Sequence, residues 1–205
     1  MLTKLLSDED KKRFLLFAEL LSLADKPLLW DGKPKEEITA QTDINKLTIQ
    51  KGAAETQLLA EWGWKNATPA LATFATLLST SPYETNLKGL LTSPSQAETS
   101  LIKLLKCLPL LEDTEDPAVR WNAVSAVLRE LLDEHAFTNP YAIRIALYEL
   151  MLLALADGIP SPVEYRFLEE FQRHHRVEDD AFREILERAE NMYRETQKTI
   201  ALVLE

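Results

Sequence analysis

Apolar positions recur every three or four residues along most of this chain, which is the period of an α-helix with one buried face. Val119, Ala123, Val127 and Leu131 are spaced four apart. Phe167, Leu168 and Phe171 make a second stripe, and Phe182, Ile185, Leu186, Ala189 and Tyr193 a third. The segment PYAIRIALYELMLLALA is apolar almost all round, with Arg144 and Glu149 its charged positions, and a helix of that kind belongs at the centre of a bundle. The pattern predicts an all-α fold: a compact bundle of about eight to nine helices around that buried rod, with no sheet. Thr48 and Ile49 are the nearest approach to a strand and are too few to make one.

Helix starts are marked by capping residues. Ser7 precedes DEDKKRFLLFAELLSLA and can accept from the first free amides, with acids in the first turn facing the positive helix end. Asp116-Pro117, Asn139-Pro140 and Ser161-Pro162 each place a capping side chain before a proline, whose fixed φ and missing N–H suit the first helical position. These signals predict helices at about 8–24, 117–135, 140–156, 162–174 and 179–203. Weaker periodicity suggests others near 46–62, 69–79, 83–92 and 96–108.

Composition agrees with helices. Glycine occurs five times in 205 residues, too rarely for a turn-rich β fold, and the 46% hydrophobic content is enough for a core. The net charge of −10 and the lack of any dense Lys/Arg run speak against nucleic-acid binding, which requires a basic face. One cysteine, Cys107 in LIKLLKCLPLL, excludes an intrachain disulfide and reads as a buried apolar thiol. The first residues lack a signal-peptide pattern and LMLLALA is too short to span a bilayer, so the expected location is cytoplasmic, with no transmembrane segment. Up to residue 115 the basic residues are twelve lysines and one arginine; from 116 they are one lysine and nine arginines. The change suggests two regions, 1–112 and 113–205, separate or packed as one body.

Enzyme signatures are missing: the chain has no G-x-S-x-G, phosphate-binding glycine loop or dinucleotide fingerprint. The expectation is that it is not an enzyme, the last-ranked alternative being a helical enzyme whose site is assembled in space. Glu19 and Glu149, lone acids in apolar helices, suggest a salt bridge (Arg144 and Arg120 are candidates for Glu149) or solvent exposure before catalysis. His174-His175 closes a helix and has no further zinc ligands at motif spacing. Trp62 and Trp64, in AEWGWKN, belong either to the core or to an exposed apolar patch suited to a partner.

LLSLAD at residues 20–25 and LLALAD at 152–157 share five of six residues, and each ends on an aspartate. With Ala156-Asp157-Gly158, a short loop and Glu164 opening the next helix, the stretch from 117 to 203 resembles the TerB-like domain of the tellurite-resistance group. Residues 8–40 resemble it more weakly. The chain departs from the family in its Ile-Pro-Ser-Pro-Val loop and in Lys26, which follows Asp25 where the other copy has glycine. The resemblance implies a duplicated helical domain acting as a non-enzymatic interaction or scaffold module in a bacterial stress-response or defence context. Its partners would be other proteins, including a membrane-associated complex.

The resemblance also implies acidic patches for a divalent cation, Ca²⁺ or Mg²⁺, which would make the chain a metal-binding or metal-sensing module. Asp157 and Glu164 flank one loop; Asp25, Asp31, Glu36 and Glu37 form a second cluster. A structural role competes for the same residues. Gly158 can take the left-handed conformation that ends a helix, and Ser161 with Glu164 has the spacing of a capping box. The loop lacks the alternating ligands of an EF-hand.

Overall fold

Four helices begin where their capping residues place them. The computed structural model describes residues 1–64, 96–107 and 116–204. Among these are seven α-helices: α1 (Asp8–Leu23), α2 (Ala53–Trp64), α3 (Gln96–Lys106), α4 (Pro117–His135), α5 (Pro140–Ala154), α6 (Pro162–His174) and α7 (Asp179–Leu204). That is fewer than the eight or nine expected; the helices predicted near 69–79 and 83–92 lie outside the described residues. Ser7 accepts from the Asp10 amide, Asp116 from Ala118 and Val119, and Asn139 from Tyr141. At α6 the full capping box forms: Ser161 Oγ accepts from Glu164 N, and the Glu164 carboxylate accepts from Ser161 N.

The expectation of no sheet is corrected. β1 (Leu28–Trp30) and β2 (Leu47–Ile49) pair antiparallel, with Leu28 opposite Ile49 and Trp30 opposite Leu47. Directly after β1 the chain reverses at Asp31-Gly32. Both residues have positive φ, 53° and 78°, and Trp30 and Lys33 exchange backbone hydrogen bonds across them. Asp-Gly with two positive φ values is what a type I′ turn requires. Residues 47–49, predicted to open a helix, are extended because Leu47 and Ile49 are buried on the face that covers the helices, and the helical part starts only at Ala53.

The centre is a pair of helices. The apolar α5 packs against α1, α6 and α7, while α1 also packs on α2, α3 and α4. Phe14, Phe17, Leu20 and Leu21 of α1 and Leu147, Leu150 and Met151 of α5 lie in one apolar core. Phe17, Phe137 and Phe171 meet edge-on or tilted within it, with ring centroids 5.4–6.0 Å apart. The two helices that carry the LLSLAD and LLALAD segments thus lie against each other. Helix α5 stops at Ala154, and Leu155 to Asp157 form a turn closed by a bond from Gly158 N to the Leu155 carbonyl. Gly158 has φ +128°, a conformation that a side chain would strain. No helix among the described residues is long and apolar enough to cross a membrane.

Candidate functional site

Where α1 and α5 end, their aspartates reach the same ammonium. Lys26 Nζ lies 2.7 Å from Asp157 Oδ2 and 3.5 Å from Asp25 Oδ1. A third acid, Glu55 in the first turn of α2, closes to 2.5 Å of the same nitrogen. The backbone of Lys26 is held too, its carbonyl accepting from the buried Arg120 guanidinium of α4. Four parts of the chain therefore meet at one residue, and the side chains of Lys26 and Glu55 are almost entirely out of water.

Burial by itself lowers the Lys26 pKa. Its hydrogen bond to Asp157 and its close ion pair with Glu55, with the charge of Asp25, outweigh that and hold it above the usual lysine range. The ammonium is charged at any ordinary pH. Glu164, only 2% exposed, borders the same centre. Burial pushes its carboxyl up to about 7, and the charges of Asp25 and Asp157 add to the rise against the two Ser161 hydrogen bonds that draw it down. The site is a cation held by three acids, Asp25, Glu55 and Asp157, with Glu164 within reach of the charges of two of them.

Of the acids predicted from sequence, Asp25, Asp157 and Glu164 are brought into this neighbourhood. Asp31 is carried off by the β1 segment and the turn, where it pairs with Lys46 at 3.1 Å. Glu36 and Glu37 sit exposed on the short 3₁₀ turn Lys35–Glu37. Among the described residues, no group of three or more His, Cys, Asp or Glu side chains is arranged to hold a metal ion. The donor set as it stands fits an ammonium, since the Asp25, Glu55 and Asp157 oxygens already converge on Lys26. A divalent ion would need the same oxygens and would have to displace it.

Several other expectations meet a different arrangement. Trp62 is 4% exposed and stands edge-on to Phe14 at 5.0 Å, so it belongs to the core and is no exposed patch. The Trp64 side chain lies outside the described residues. Glu149 forms neither a salt bridge with Arg144 or Arg120 nor a solvated surface. It is fully buried and accepts from the backbone amides of Leu2 and Thr3, so it anchors the N-terminal turn Thr3–Leu5 on α5. Arg120 is engaged with Lys26 instead. Cys107 is exposed, because it falls just beyond the last buried anchor of α3, Leu105. Lys26, Glu55 and Arg120 were missed as site residues. A signal for the first was present: the lysine that follows Asp25 where the other copy has glycine.

A second feature lies on the far side of the Asp157 loop. Ile159 is 88% exposed, and with Pro160, Pro162, Tyr165 and Leu186 it lines an open groove of about 530 Å³. Arg166, Glu169 and Glu190 border the same groove. No family model, curated protein or solved structure matches this chain.

Proposed function

We propose that the chain is a non-enzymatic interaction module of TerB-like type that offers the groove beside Ile159 to a protein partner. The observation that carries this reading is the groove itself, an apolar strip rimmed by Arg166, Glu169 and Glu190. Ile159 contributes nothing to the core at that exposure, yet it stands next to two prolines and a tyrosine rather than alone. Contiguous apolar surface with an aromatic anchor is the usual composition of a protein-binding patch. The stress-response or defence context, and a membrane-associated complex as the partner, rest on the sequence resemblance alone. Asp157 supports this reading indirectly, because it is committed to Lys26 and leaves the loop's apolar tip as its outward-facing part.

The test is affinity capture with the full chain from the cells in which it occurs, repeated with Ile159→Asp. The expected outcome is a specific protein recovered by the wild type and lost with the variant, while the melting temperature is unchanged. Equal recovery by both chains, or no stable partner with either, overturns the proposal.

A further inference from the structure

A lysine ammonium and a divalent cation ask the same of a protein: several oxygens, net negative charge and exclusion of competing water. They cannot share one set of donors. We propose that Lys26 is the resident cation of the centre where α1 and α5 end, so that this chain joins its two Asp-bearing helix ends without a metal ion. The proposal does not depend on the groove beside Ile159 and would survive the loss of that reading.

Geometry supports it from three sides. The ammonium is at charge-assisted distance from Glu55 and Asp157, 2.5 and 2.7 Å, with Asp25 at 3.5 Å. Lys26 is not a surface lysine that swings in by chance: it is 9% exposed, and Arg120 fixes its carbonyl from α4. Glu55 has 4% side-chain exposure, so loss of the ammonium leaves a buried carboxylate without its cation. The difference between the two helix ends makes the same point. Asp157 is followed by Gly158, which only reverses the chain, and Asp25 by Lys26, which supplies the positive charge for both aspartates.

The experiment uses the full chain with Ca²⁺ and Mg²⁺ as probes, by calorimetric titration and by thermal unfolding in chelator or in millimolar ion. Wild type is expected to give no saturable heat and the same melting temperature in both conditions. Saturable binding to wild type with a rise in melting temperature overturns the proposal. Lys26→Ala in chelator is expected to melt lower by on the order of 10 °C. Added Ca²⁺ should raise that value saturably, whereas Lys26→Arg keeps the wild-type indifference. A Lys26→Ala chain as stable as wild type, or one that folds yet ignores both ions, also overturns it. Should Lys26→Ala fail to fold, Lys26→Ala/Glu55→Gln decides. Recovery of a cooperative transition in the double variant supports the role of Lys26 as counter-ion, and continued failure refutes it.

Discussion

Glu164 is asked to do two things that oppose each other. Its carboxylate caps α6 through the Ser161 amide, which favours the charged form, while burial and two nearby aspartates favour the neutral one. The second influence wins, and its sign fixes a pH dependence. A carboxyl raised from 4.5 to about 7 binds its proton more tightly in the folded chain, so stability falls as pH rises through that window and is level above it. The loss attributable to Glu164 is on the order of 3 kcal/mol at most. Glu164→Gln keeps an acceptor for the Ser161 amide, and the difference between variant and wild type in urea unfolding from pH 4.5 to 7.5 should trace that fall. His175 contributes the opposite slope. Its Nδ1–H donates to the Phe171 carbonyl and its Nε2 accepts from the Phe137 amide, an arrangement that only the neutral ring can make. Burial, together with His174, lowers its pKa, so its contribution is present above 6.5 and is lost as pH falls below that. The capping box was legible from four adjacent residues. The raised pKa was not, because it comes first from burial by the packed helices and then from Asp25, which reaches Glu164 across more than a hundred residues of chain.

At the scale of the element, what could be read was what is decided locally. Ser7, Asp116, Asn139 and Ser161 each satisfy amides two or three residues ahead, and the helix starts at 8, 117, 140 and 162 followed from them. The hairpin escaped for the converse reason. Strands of three residues are too short to show alternation, and β1 and β2 recognise each other across a sixteen-residue connection. The one local clue was Asp31-Gly32, a dipeptide suited to a turn with two positive φ values. The start of α2 offers a sharper test. A β-carbon added at Gly52 would overlap the Glu55 carboxylate, which Lys26 holds in place. Gly52→Ala is therefore expected to cost about 1–3 kcal/mol by forcing that carboxylate off the ammonium. In a double-mutant cycle with Glu55→Gln, a difference from additivity of 0.5 kcal/mol or more identifies the shared cause; additive effects count against it.

Across the whole molecule, the helices supply the scaffold and a few long-range polar contacts decide how the scaffold closes. Asp157 meets Lys26 over 131 residues, Arg120 meets it over 94, and Glu149 receives the N-terminal turn over 146 and 147. None of these distances leaves a mark on the hydrophobic pattern. That is why the largely helical character and the buried α5 were accessible from sequence, while the hairpin and the partners of Asp157 and Glu149 were not. The network around Lys26 also has a place in time. It cannot form until α1, α2, α4 and the turn after α5 have all arrived within a few ångströms, and closing loops that long precedes any reward. Its contacts are thus expected to be absent at the rate-limiting step and to assemble on the native side of it. Lys26→Met should leave the refolding rate within about twofold of wild type and accelerate unfolding by on the order of a hundredfold or more, as stopped-flow chevrons would show. The ammonium then acts less as part of what finds the fold than as the fastening that keeps it from coming apart.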